Sequence, residues 1–138
     1  MLDMDVALGV PSFRGERRMD GLKHVLVVED DVDSRVLLSA LLSQMGYVVT
    51  SAVNGEEGLR FLHSADYQCD AVVADVIMPG MSGADFARLT HEVRPALPIA
   101  LVTGRQDGID VALDAGTVPL LKPFTIGQLH AVWSGEMS

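Results

Sequence analysis

A chain of 138 residues that is 49% hydrophobic is long enough for one domain with a real core and too apolar for disorder, while its longest apolar runs fall far short of a membrane span. A formal charge of −9 argues against nonspecific binding to nucleic acid or an anionic membrane, so neither partner is expected. One cysteine, Cys69, excludes an internal disulfide and, with no basic start followed by an apolar stretch, fits a reducing, cytoplasmic setting.

Residues 1–21 carry no sustained periodicity and hold Gly9, Pro11, Gly15 and Gly21, so they read as a mobile tail. Its short basic run, Arg14, Arg17 and Arg18, reads as solvated charge. Val25-Leu26-Val27-Val28 is the first strand and ends in Glu29-Asp30-Asp31. Leu38, Leu41, Leu42 and Met45 then follow the spacing of one helix face, and Gly46 ends that helix. Tyr47 to Thr50 reads as the second strand. Asn54 with Glu57 predicts a capped helix running to about Ser64. Ala71-Val72-Val73-Ala74 is an apolar run that closes on Asp75, and Met78-Pro79-Gly80 follows. Ser82 with Asp85 opens a helix that bears Phe86, Leu89, Thr90 and Val93 and ends at Arg94-Pro95. Ile99 to Val102 ends in Thr103-Gly104, and Gly108 to Asp114 allows only a short fourth helix. Val118-Pro119-Leu120-Leu121 ends in Lys122-Pro123-Phe124, and residues 125–134 form the last helix, its buried face Leu129, Val132 and Trp133.

Five strands alternating with five helices predict an α/β fold, a doubly wound parallel sheet of order 2-1-3-4-5 with a shortened fourth helix. Such sheets bind ligands at the carboxyl ends of their strands. The strand ends here bring Glu29, Asp30, Asp75, Thr103 and Lys122 to one edge. Close together, the three acids repel and favour a bound cation, and a few carboxylates with room for water suit Mg²⁺ better than Ca²⁺. A carboxylate beside Mg²⁺ can act as a nucleophile toward phosphorus, with Lys122 and the Thr103 hydroxyl stabilising the transferred phosphoryl group. The small Gly104 leaves space for an anion. Asp31 and Asp33 read as helix-start acids, the four histidines lack ligand spacing, and Trp133 reads as core.

These motifs, Val25 to Asp31, Asp75 to Gly83, Thr103-Gly104 and Lys122-Pro123-Phe124, come in an order that resembles the receiver domains of bacterial two-component response regulators. The resemblance spans roughly residues 22–134, so the domain is taken as 22–138. It implies that Asp75 is the phosphoacceptor. Glu29 and Asp30 match the acidic pair that holds Mg²⁺, Asp30 the more direct ligand, and the backbone carbonyl of Ile77 matches a further ligand. Thr103 matches the switch hydroxyl, Lys122 the phosphate-pairing lysine, and Lys122-Pro123 a cis peptide. The family takes its phosphoryl group from a histidine kinase or histidine phosphotransfer protein and signals through a downstream protein, here as a monomer or weak dimer. No turnover of a separate substrate is expected, so the chain is not read as an enzyme. After Phe124 only one helix's worth of sequence remains, which leaves no room for an output domain in this chain.

Two departures stand out. The resembled family usually carries an aromatic residue three before the lysine, and here Pro119 takes that place. The stretch from Thr103 to Lys122 is also shorter than usual. Coupling from Thr103 to a rotating aromatic is therefore not expected. Two other functions compete. A haloacid-dehalogenase-like phosphatase would need Asp-x-Asp at the strand end, but Val76 and Ile77 follow Asp75. A degenerate receiver that binds partners without phosphorylation would have lost an acid or the lysine, and none is lost.

Overall fold

The expected apolar runs form five strands: β1 (His24–Val28), β2 (Val48–Ala52), β3 (Ala71–Asp75), β4 (Ile99–Thr103) and β5 (Val118–Leu121). They alternate with α1 (Val32–Gln44), α2 (Gly55–His63), α3 (Gly83–Val93), α4 (Asp107–Asp114) and α5 (Ile126–Ser134) in a computed structural model that describes residues 23–135. All four strand pairings are parallel and the order is β2-β1-β3-β4-β5, as the alternation predicts. The tail expected over residues 1–21 lies outside the described residues. Among the described residues no helix is long and apolar enough to cross a membrane.

The sheet is buried on both faces because successive side chains on each strand point opposite ways. Leu26, Val28, Val72, Ala74, Ile99 and Leu101 pack with Leu62, Phe86, Ala87 and Ala112, which places α2, α3 and α4 on one face. Val25, Val27, Val73, Ala100 and Val102 pack with Leu42, Leu129, Val132 and Trp133, which places α1 and α5 on the other. The Trp133 indole N–H donates to the Val72 carbonyl at 2.8 Å, so the ring's one polar atom is satisfied within the core.

Local chemistry sets the helix ends. Asp31, Asn54, Ser82 and Thr125 each accept a backbone N–H three residues on. Glu57 reaches back to the Val53 N–H, one residue before the expected cap. Thr125 and Gln128 close a full capping box on α5. Gly46, at φ +96°, ends α1 in the left-handed region. The Lys122–Pro123 peptide is cis.

Two helix faces differ from expectation. In α1, Leu42 is fully buried and Leu38 partly so, but Leu41 and Met45 are 40% and 57% exposed. Val36, Leu37, Leu38, Leu41 and Leu42 stand on more than one side of the helix, so periodicity alone cannot say which side the sheet covers. In α3, Leu89 is exposed and the buried positions are Ala84, Phe86, Ala87 and Thr90. The short α4 is as expected, starting one residue earlier. Pro119 is tolerated because β5 is an edge strand with a single neighbour.

Candidate functional site

Register builds the site. Val28 pairs with Ala74, so Glu29 and Asp75 continue side by side from adjacent strands. Asp75 pairs with Val102, which sets Thr103 one step further along β4. Thr103 pairs with Leu121, and Lys122 follows. Backbone bonds extend the ladder past the strand ends: Val76 N–H to the Val102 carbonyl at 2.9 Å, and Lys122 N–H to the Thr103 carbonyl at 2.8 Å.

Carboxylate oxygens of Glu29, Asp30 and Asp75 lie within 4.8 Å of one another. Asp75 and Glu29 are buried and Asp30 is exposed. The Lys122 ammonium sits 2.9 Å from Asp75 Oδ1 and is the cation paired with this cluster. Burial works against its charge, but its hydrogen bond to Asp75 and the nearby acids hold its pKa above the usual value. Burial, together with a hydrogen bond from carboxyl to carboxyl with Asp75, pushes Glu29 up to about 7. The Asp31 N–H, donating to Glu29 Oε2 at 3.0 Å, offsets this in part. Acids packed this closely are short of positive charge. An all-oxygen cluster in that condition fits a hard divalent cation such as Mg²⁺.

The loop after β3 is shaped around the Asp75 backbone. A Cβ on Gly83 would stand 2.0 Å from the Asp75 carbonyl oxygen and 2.9 Å from Val76 Cα, so no other residue fits there. The Gly83 N–H donates to the Val76 carbonyl at 2.8 Å, which folds the loop back onto the strand end. Ile77 lies in this loop with its side chain 66% exposed. Thr103 is buried, and its hydroxyl accepts from the Arg105 N–H at 3.1 Å and donates to the Arg105 carbonyl at 3.2 Å. A Cβ on Gly104 would meet nothing within 4 Å, whereas one on Gly108 would strike Thr103. The tight glycine beside Thr103 is therefore Gly108, which the sequence reading did not single out.

A family model described as the response regulator receiver domain matches residues 25–134. The chain belongs to this family. Among curated relatives of this receiver domain, the probable transcriptional regulatory protein SilR of Salmonella typhimurium is 32% identical over 113 residues, 78% of this chain and 47% of SilR. The transcriptional regulatory protein TcrA of Mycobacterium tuberculosis is 32% identical over 117 residues, 83% of this chain and 45% of TcrA. The chain spans about half the length of these relatives. Among solved structures, a response regulator receiver domain protein from Clostridium thermocellum superposes with a TM-score of 0.75 at 28% identity, covering 83% of this chain and 93% of that one. The response regulator TrrA from Thermotoga maritima, solved in complex with Mg²⁺-BeF, superposes at 0.69 with 30% identity, covering 79% and 94%. These neighbours share the five-stranded flavodoxin-like architecture.

The receiver fold thus brings Glu29, Asp30, Asp75, Thr103 and Lys122 to one edge. Sequence reasoning missed Arg35, whose guanidinium donates to the Glu29 carbonyl at 2.9 Å and ties α1 to the site. It also missed Asp70, which holds the other end of β1 by accepting the Lys23 and His24 N–H groups. Beside the cluster runs a groove of about 630 Å³, lined by Leu37, Leu38, Leu41, Phe124 and Ile126, with Glu29 and Lys122 among its walls.

Proposed function

We propose that this receiver domain accepts a phosphoryl group on Asp75 from a histidine kinase or histidine phosphotransfer protein and signals its state to a downstream protein. The observation that carries the reading is the pairing of a buried Asp75 with Lys122 at 2.9 Å inside a three-carboxylate cluster. An Asp75 carboxylate oxygen attacks phosphorus, the P–N bond to the donor histidine breaks, and the electron pair returns to the imidazole. Lys122, 2.9 Å from Asp75 Oδ1, pairs with the acceptor carboxylate and then with a phosphoryl oxygen. Thr103 supplies one hydroxyl proton to another. Mg²⁺, held by Glu29, Asp30 and Asp75 with the Ile77 carbonyl, would draw charge from the phosphoryl oxygens. The Mg²⁺-BeF complex of the related TrrA supports this assignment. The acceptor is part of the chain itself, so no separate substrate is turned over.

The groove beside Glu29 and Lys122 is the docking face proposed for the donor. Its apolar wall leads directly to the acidic cluster, and a donor histidine must come within bonding distance of Asp75. The test of the whole reading is acetyl phosphate with Mg²⁺, followed by intact-protein mass spectrometry. One labile phosphoryl group is expected, absent from Asp75→Asn and absent in EDTA. Equal labelling of Asp75→Asn sinks the reading.

A further inference from the structure

The two acids that follow β1 are joined by one peptide, and that peptide is held by a side chain from α1. The Val48 N–H donates to the Lys23 carbonyl at 2.7 Å, and the Glu29 N–H donates to the Ala52 carbonyl at 3.1 Å. In a parallel ladder a residue turns its N–H and its carbonyl toward the same neighbouring strand. Val28 pairs with Ala52, so the next donor to the Glu29 carbonyl along this ladder would be the Asn54 N–H. But β2 ends at Ala52, the Val53 N–H goes to Glu57 Oε1 at 2.8 Å, and Asn54 has turned to cap α2. The Arg35 guanidinium takes that place, 2.9 Å from the Glu29 carbonyl.

This carbonyl belongs to the planar Glu29–Asp30 peptide. Holding it fixes the last backbone torsion of Glu29 and the first of Asp30, and so the directions in which both carboxylates leave the chain. The rest of the turn is fastened to the same helix. The Asp31 N–H donates to Glu29 Oε2 at 3.0 Å, Asp31 Oδ2 accepts the Ser34 N–H at 2.8 Å, and the Arg35 N–H donates to the Asp31 carbonyl at 2.9 Å. Asp30 is exposed, so its direction is set by the backbone and not by packing. A guanidinium here acts on a cation in two opposed ways. Its charge repels the ion, while its donor keeps the ion's ligands in place.

We propose that Arg35 is a positioning residue for Mg²⁺: its hydrogen bond to the Glu29 carbonyl sets how the Glu29 and Asp30 carboxylates are placed, and this outweighs the repulsion of its charge. The role rests on Glu29 and Asp30 holding Mg²⁺. Mg²⁺ demands near-ideal octahedral ligand placement and Ca²⁺ tolerates irregular sites, so a loosened turn harms Mg²⁺ binding more.

The test titrates the full chain with Mg²⁺ and with Ca²⁺, followed by amide NMR, with thermal melts as the check on folding. Arg35→Met keeps the aliphatic stem and removes both donor and charge. Its Kd for Mg²⁺ should rise about tenfold and its Kd for Ca²⁺ by less than about threefold. Arg35→Lys keeps the charge and a donor, so it should bind Mg²⁺ within about threefold of wild type. Arg35→Gln, too short to reach the carbonyl, should repeat the loss seen with Met, and it decides alone if Arg35→Met does not fold. Mg²⁺ affinity that is unchanged or tighter in a folded Met or Gln variant overturns the role, because only the charge then counts. Equal losses for the two ions overturn it as well, as does a loss in Arg35→Lys as large as in Arg35→Met. Asp30→Ala locates the ion. A wild type that does not bind Mg²⁺, or an Asp30→Ala that binds it as tightly as wild type, overturns the Mg²⁺ assignment and the positioning role with it. A loss in Asp30→Ala without one in Arg35→Met overturns the positioning role only.

Discussion

At the scale of single residues, the site is a set of like charges held together by one lysine. Glu29 carries the clearest mark of this, its pKa pushed from 4.5 to about 7. The consequence for stability has a definite sign. Between about pH 4.5 and 7 the metal-free fold keeps the Glu29 proton while the unfolded chain gives it up, so stability falls as pH rises through that window. Asp31, Asp70 and Asp107 have lowered pKa values and act in the opposite sense, but only at more acidic pH. Thermal melts in EDTA at pH 5.5 and pH 7.5 should give the lower Tm at pH 7.5, and Glu29→Gln should remove most of that difference. A wild-type Tm that is flat or rises over this window would falsify the assignment. The acids and the lysine are legible in the sequence because each closes an apolar run. Gly83 and Gly108 carry no such local signal for their roles, since what makes each of them obligatory is an atom brought close by the fold: the Asp75 carbonyl for one, the Thr103 side chain for the other.

At the scale of elements, α1 has a buried side that carries stability and a side that lines the docking face proposed for the phosphoryl donor. Leu42 is fully buried, so Leu42→Ala should cost about 2–5 kcal/mol, measured by urea unfolding. Leu37 and Leu41 are 61% and 40% exposed along the groove beside the acidic cluster. Replacing both with serine should change stability by no more than about 0.5 kcal/mol each. Labelling by acetyl phosphate, which needs no docking face, should stay within twofold of wild type. Transfer from a phosphorylated histidine kinase or phosphotransfer protein should fall at least tenfold. Equal losses with both donors would place the defect in the chemistry, not in docking. The sequence pattern misassigns this face because ten residues from Val36 to Met45 carry no charge to mark the wet side. In α2 and α5 the sequence and the fold agree, since charged or capping residues there fix both the ends and the outer face.

At the scale of the molecule, three clustered acids make the metal-free fold less stable than its core alone allows, and the proposed binding of a cation to the native state should reverse this. At ten times its Kd, Mg²⁺ should add about 1.4 kcal/mol, a rise in Tm of about 5 °C for a domain of this size. Asp30→Ala should abolish most of that rise. A full response in this variant would locate the ion elsewhere. Strand number, strand order, helix count and the identity of the charged site residues are determined by the sequence itself. Each follows from a local rule: apolar runs bounded by turns, helix-spaced apolar residues with caps, and right-handed crossovers that place every strand end on one edge. Tertiary structure alone decides which side of α1 is covered, why glycine stands at 83 and 108, how burial beside Asp75 raises the pKa of Glu29, and where Arg35 and Asp70 bind. These depend on contacts between segments far apart in the chain or on clearances of a few tenths of an ångström, and neither is encoded in any local pattern of residue types.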